Sequence, residues 1–182
     1  MSNTPERYTL TAIALHWLLA FALLGSFALG TYMADLPLSP TQLRLYNWHK
    51  WAGTTILALS LVRLAWRLTH RPPPALAMPA WQQRLAGGVH AAMYGLFVAV
   101  PLSGWAYSSA AGFPLVWFGV LPLPDFVAPD KALAEAIKAL HGLGANLLAA
   151  LVLLHIAAAL EHHFVRRNAL LARMGLGRGE RR

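Results

Sequence analysis

Residues 139–160 read ALHGLGANLLAALVLLHIAAAL, a run of 22 residues with no charged side chain. About 20 apolar residues span the hydrocarbon of a bilayer, so this run is long enough to cross one as a helix. It also carries His141 and His155, 14 residues apart. That interval is about four helical turns, which puts both imidazoles on one face with roughly 21 Å of axial separation. An imidazole in hydrocarbon is costly unless something occupies it. Each of the two therefore needs a partner at its own depth.

The rest of the chain has the composition such a helix needs. Of 182 residues, 57% are hydrophobic and 12% charged, with a mean hydropathy of +0.47. A soluble domain carries about 25% charged residues, twice this share. Leu10–Met33 is a second uncharged run, of 24 residues. A cleaved signal has an apolar core of only about 7–15 residues, so this run reads as a retained helix. A third stretch from Trp51 is interrupted by Arg63 and Arg67, and Leu85–Pro124 is again uncharged. The expectation is an all-α integral membrane four-helix bundle forming one domain over residues 1–182. Its helices lie near 10–33, 48–68, 86–109 and 139–164, and a basic tail covers 165–182. There is no cysteine, which excludes disulfides, thiolate-bound clusters and thioether-attached haem.

Charge asymmetry orients the bundle. Arg7, Arg63, Arg67, Arg71, Arg84, Arg166, Arg167, Arg173, Arg178, Arg181 and Arg182 fall on the side of the two termini, against Arg44, Lys50, Lys131 and Lys138 on the other. The positive-inside rule places both termini in the cytoplasm. The basic tail reads as a topology anchor on anionic headgroups rather than a nucleic-acid site. Ala34–Asn47 reads as an outer loop, and Pro72-Pro73-Pro74 ends the second helix because proline cannot continue it. Gly112–Phe126 is apolar but contains Pro114, Pro122 and Pro124, and reads as an outer interfacial loop. Asp130 is placed to cap a short surface helix, with Leu133, Ile137 and Leu140 on one face, that leads into helix four.

Alternating helix direction then fixes depths. His16 starts helix one and lies inside, while His49 starts helix two and lies outside. On helix four, His141 is outer and His155 inner. Two level pairs follow, His16 with His155 and His49 with His141, and facing helices of a bundle commonly hold cofactors this way. Two stacked bis-imidazole haems fit that pattern. A zinc site would need three or four donors converging on one ion, which the separation of His141 and His155 prevents. Gly53, Gly144, Ala12, Ala20, Ala158 and Ala159 flank the four histidines and leave room for a flat macrocycle, as small residues also do for helix packing. His90 begins helix three on the inner side and competes with His16 as the inner ligand. His70 and His163 read as headgroup-level residues.

With these residues in place, the chain resembles the bacterial cytochrome b561 family of four-helix di-haem membrane proteins. The resemblance rests on Ala14-Leu15-His16-Trp17-Leu18, Asn47-Trp48-His49-Lys50, Val62-Arg63-Leu64-Ala65-Trp66-Arg67-Leu68, and His141 through His155 to Glu161-His162-His163-Phe164. It covers nearly the whole chain. The b subunits of membrane hydrogenases and formate dehydrogenases place histidines similarly, whereas the six-helix ascorbate-linked proteins do not fit this length. The resemblance implies two haem b groups held by His16, His155, His49 and His141. It also implies electron exchange with ubiquinone near the inner haem and, in some members, oxidation of superoxide at the outer face.

Further residues can be ranked against that expectation. Arg63 lies 14 residues after His49, at the inner depth, where a haem propionate is the anion it needs. Arg67 is expected to snorkel to the headgroups. His162, seven residues past His155, is the candidate for binding or protonating a quinone carbonyl, with Glu161 orienting it or carrying protons. Arg44, Lys50, Lys131 and Lys138 surround the outer entrance, where such charge would steer a small anion; Asp35, Asp125, Asp130 and Glu135 oppose them. The reading is an oxidoreductase passing electrons from superoxide, or another periplasmic donor, to ubiquinone. Its alternatives are a haem b anchor for a separate dehydrogenase or hydrogenase, docked at the aromatic outer loop, and a chromophore-free metal transporter or structural protein.

Overall fold

The computed structural model describes residues 7–74 and 76–176. Four long helices carry the fold: α1 Leu10–Ala34, α2 Pro40–Thr69, α3 Ala80–Ala110 and α4 Lys131–Phe164, followed by a one-turn α5, Leu170–Arg173. Three of them, α1, α3 and α4, are long and apolar enough to cross a membrane. The fourth, α2, is 30 residues long but carries Arg44, Lys50, Arg63 and Arg67 along its length. Large apolar side chains face outward along the helices, among them Phe21 and Leu24 on α1 and Leu143, Leu147, Leu153 and Leu154 on α4. Such a surface is compatible with lipid and not with water.

Capping explains where the helices begin. Thr9 accepts from the Ala12 amide at 3.3 Å, Ser39 from Gln42 at 3.2 Å, and Asp130 from Leu133 at 3.0 Å. Each satisfies an amide that has no partner within its helix. Two expectations are corrected here. Helix two starts at Pro40 rather than 48, because Ser39 caps it and proline suits the first helical position. The loop expected over Ala34–Asn47 thus shrinks to residues 35–39, locked by Gln42 Nε2 donating to Leu36 O at 2.7 Å and Met33 O at 3.2 Å. Likewise, the short surface helix expected after Asp130 is not separate. It runs unbroken into α4, since no proline or glycine turn interrupts residues 131–141. Helix three also starts earlier, at Ala80.

The helices pack in sequence, α1 on α2, α2 on α3 and α3 on α4. Met93, Phe97 and Leu148 form the buried core, with Leu23, Val89, Leu96, Leu151 and Val152 against it. Leu148 stands seven residues from both His141 and His155, so this apolar layer lies between the two histidine depths. The outer loop holds a small antiparallel hairpin, Val116–Trp117 paired with Leu121–Pro122. Its turn has positive φ at Phe118 (51°) and Gly119 (72°), the two left-handed positions of a tight hairpin turn. It is the only strand structure among the described residues and adds a small β element to the all-α expectation.

The tail expected as a basic anchor on anionic headgroups is, over residues 165–176, packed against the inner end of the bundle. Trp17 Nε1 donates to Met174 O at 3.0 Å, Tyr8 N to Arg173 O at 3.3 Å, and Arg173 Nη1 to Pro74 O at 2.6 Å. The start of α1, the α2–α3 connection and the segment after α4 therefore meet at one end. Arg178, Arg181 and Arg182 lie outside the described residues.

Candidate functional site

The four histidines come together as two pairs. Ring centroids of His16 and His155 are 6.2 Å apart, and those of His49 and His141 are 6.0 Å apart. A metal held on opposite sides by two imidazole nitrogens at about 2.0–2.1 Å each would set ring centroids roughly 6 Å apart. Both pairs match that spacing. His90 is also near, with its centroid 5.3 Å from that of His155, a shorter spacing than that of the two pairs. Among the described residues no group of three or more histidine, cysteine or acidic side chains converges as a metal site.

The outer pair is gripped from the neighbouring helices. His141 Nδ1 donates to Val100 O at 3.0 Å, and Ser103 Oγ stands 3.2 Å from the same nitrogen. A carbonyl only accepts, so Nδ1 carries the proton and Nε2 keeps its lone pair for a metal. Val100 precedes Pro101, the proline within α3. On the other side, Ser26 Oγ lies 3.3 Å from His49 Nδ1, and a hydroxyl can serve that nitrogen as acceptor or donor, so it can pair with the tautomer that leaves Nε2 free. Two glycines make room for these rings. A Cβ on Gly30 would lie 3.0 Å from His49 Cε1, and one on Gly104 would lie 3.0 Å from His141 Cε1. The outer pair thus fits axial ligation of haem in spacing and steric room, and His141 fits it in tautomer as well.

The inner pair is built differently. Arg63 Nη2 lies 3.3 Å from His16 Nδ1, and Nη1 donates to Ala12 O at 3.2 Å. Here Arg63 contacts the histidine itself. A guanidinium only donates, so His16 Nδ1 accepts and the ring proton sits on Nε2. The inner pair therefore fits ligation in spacing, and Arg63 must turn from His16 to free its Nε2. Of the small residues singled out above, Gly53 has nothing within 4 Å of an added Cβ, whereas Gly144 meets Val100 Cγ2 at 3.1 Å. Gly144 is thus an α3–α4 packing contact.

The outer loop sits on α2 beside His49. Trp51 Nε1 donates to Val116 O at 2.7 Å, Trp117 Nε1 to Thr55 Oγ1 at 3.2 Å, and Lys50 Nζ to Pro114 O at 3.2 Å. Lys50 is thereby committed to the loop, while Arg44, Lys131 and Lys138 are exposed. Of the opposing acids, Asp125 accepts from Ser109 Oγ at 3.1 Å and Asp130 caps α4. At the inner end, His162 is tied to Asn168, with Nδ1 to Nδ2 at 2.7 Å. Its Nε2 is 3.9 Å from Glu161 Oε2. His70 is exposed and stacked on Trp66, 3.6 Å between centroids, and His163 is exposed beside Phe164.

Ser26, Gly30, Val100, Ser103, Gly104 and Asn168 are the site residues that sequence reasoning missed. The first five act across helices, so no local pattern marks them.

Comparison with known proteins bears directly on this site. Residues 7–177 match the family model described as prokaryotic cytochrome b561. The chain belongs to the prokaryotic cytochrome b561 family. It is 35% identical over 175 residues to cytochrome b561 homolog 2 of Escherichia coli (strain K12), covering 95% of this chain and 93% of the relative. It is 32% identical over 179 residues to cytochrome b561 homolog 1 of the same organism, covering 93% and 97%. A third relative, the probable superoxide oxidase CybB of Yersinia pestis, is 30% identical over 170 residues, covering 93% and 96%. Membership of this cytochrome family makes the chain a membrane electron-transfer protein that binds haem b.

Proposed function

We propose that this b561 protein is a superoxide:ubiquinone oxidoreductase of the bacterial inner membrane. It crosses the membrane with all four long helices and keeps both termini in the cytoplasm. The observation that carries the reading is the pair of histidine pairs, 6.2 and 6.0 Å between centroids, on α4 positions about 21 Å apart along the axis. His16 and His155 would hold the inner haem b, and His49 and His141 the outer. His16 is preferred to His90 because its spacing from His155 is that of axial ligands. Arg63 is the cation at the inner layer available to a propionate. When bound, the two haems supply a one-electron relay across the apolar layer of Met93, Phe97 and Leu148.

The chain's own residues account for the ends of that relay. At the outer end, Arg44, Lys131 and Lys138 are exposed cations that would draw in a small anion such as superoxide. Lys50 holds the 112–126 loop beside His49. Two superoxide ions lose one electron each and leave as oxygen, and one quinone takes those two electrons and two protons to become quinol. His162, with its Nε2–H, would donate to one quinone carbonyl and recover its proton from the Glu161 side. The relative named as a probable superoxide oxidase supports this direction.

A second reading, a haem b anchor for a separate dehydrogenase or hydrogenase, is favoured by one observation. Phe113, Phe118, Val120, Leu121 and Phe126 of the outer loop are all exposed, as a docking surface would be. Purified protein freed of partners separates the two. Superoxide generated by xanthine oxidase should reduce its haems, and ubiquinone should reoxidise them. No reduction by superoxide, with a partner copurifying in stoichiometric amount, would favour the anchor.

A further inference from the structure

The turn after α4 contains an arrangement that the relay itself does not require. Arg167 adopts a φ of 50°, a left-handed conformation uncommon outside glycine and found at sites where the fold holds it in place. The turn folds residue 168 back over α4, where Asn168 N donates to His162 O at 3.1 Å. The side chain then has both of its ends assigned. Asn168 Oδ1 accepts from the Leu170 amide at 3.2 Å, and this leaves Nδ2 facing His162 Nδ1 at 2.7 Å. An amide nitrogen only donates, so Nδ1 accepts, and the neutral imidazole carries its proton on Nε2.

That proton points to the acidic side of the turn. His162 Nε2 is 3.9 Å from Glu161 Oε2, and Glu161 Oε1 accepts from Arg166 Nε at 2.8 Å. Arg166 Nη1 in turn donates to Gln82 Oε1 on α3 at 3.0 Å, pinning the turn across the inner end of the bundle. The His162 side chain keeps 13% of its surface accessible.

We infer that Asn168 is a positioning residue for quinone reduction, holding His162 in the tautomer whose Nε2–H donates to the quinone carbonyl. The inference rests on the quinone reading of His162 given above. With the opposite tautomer, Nε2 would offer a lone pair to an oxygen that also has only lone pairs. One of the two protons of the quinol is then supplied at Nε2, and the other enters at the second carbonyl from solvent.

The test uses the purified haem-loaded protein, reduced with dithionite and mixed with a short-chain ubiquinone, with ferricyanide as an oxidant that needs no proton. Asn168→Asp keeps an oxygen for the Leu170 amide but offers His162 Nδ1 an acceptor, which in the neutral ring moves the proton to Nδ1; rates are therefore compared at alkaline pH, where the ring is neutral. The substitution should lower kcat for ubiquinone by about 10- to 100-fold, the range of a lost proton donor, and leave KM and the ferricyanide rate nearly unchanged. His162→Gln should show the same loss, and Asn168→Asp added to it should cause no further one. Wild-type quinone rates in Asn168→Asp, with His162→Gln slow, would overturn the role of Asn168. So would a full additional loss in the double variant, or haem loss from Asn168→Asp, which would mark a structural cap. Unchanged quinone rates in His162→Gln would instead remove the quinone reading itself.

Discussion

Gly104→Ala tests whether the outer site is held from α3. The added Cβ would stand 3.0 Å from His141 Cε1 and 3.3 Å from Nδ1, against an ordinary carbon contact of about 3.5–4.0 Å. The ring must give by a few tenths of an ångström. That shift stretches and weakens the 3.0 Å bond from Nδ1 to Val100 O. Overpacking of this kind costs about 1–3 kcal/mol, and loss of a ligand's outer partner lowers metal affinity about 10- to 100-fold. The assay is haem per polypeptide by pyridine haemochrome, with a potentiometric titration of what remains. Haem content should fall from two toward one, and one of two midpoint potentials should vanish or move while the other stays. Gly25→Ala is the control, because Gly25 has nothing within 4 Å of an added Cβ, and it should retain both haems. Two haems at unchanged potentials in Gly104→Ala would refute the placement of His141 as a ligand held by α3.

Other changes probe the remaining parts. Ser26→Ala removes the hydroxyl 3.3 Å from His49 Nδ1 and should shift one midpoint potential while both haems stay bound; unaltered potentials would show that the contact does not tune the ligand. Asp130→Ala removes the cap of α4 and should cost about 1 kcal/mol, read as a lower thermal midpoint with an unchanged spectrum. Trp17→Phe removes the bond to Met174 O and should speed proteolytic cleavage near Arg166 and Arg173; cleavage at the wild-type rate would mean that this bond does not hold the segment down. Raising ionic strength should slow haem reduction by superoxide, and a salt-independent rate would argue against steering by the outer cations.

The parts legible in the sequence were those carried by local pattern. Charge-free runs placed α1, α3 and α4, and the 14-residue interval between His141 and His155 put two imidazoles on one face. Helix direction alone then matched His16 and His49 to their partners. Starts of helices were read less well, although Ser39-Pro40 and Asp130 are both capping signals. In each case a polar or charged flank hid the continuation of the helix. The grip on the outer histidines was not legible, because Ser26 and Gly30 act on α2 from α1, and Ser103 and Gly104 act on α4 from α3. Arg63 shows the same limit. Its depth was readable from its distance to His49, but its contact with His16 depends on which helices are neighbours. Residues 165–176 read only as part of a basic anchor on anionic headgroups, because Arg166, Arg167 and Arg173 are their only charged residues. The bonds that fold them back run largely to backbone carbonyls, which no side-chain pattern reports.

The central claim is two haems on two histidine pairs, and stoichiometry with optical difference spectra tests it most directly. Purified protein should show a b-type reduced-minus-oxidised spectrum and two haems per chain. Replacing His49 or His141 by Ala should remove one haem, and replacing His16 or His155 the other. A chain with no b-type signal, or one that keeps both haems when His141 is replaced, would contradict the account.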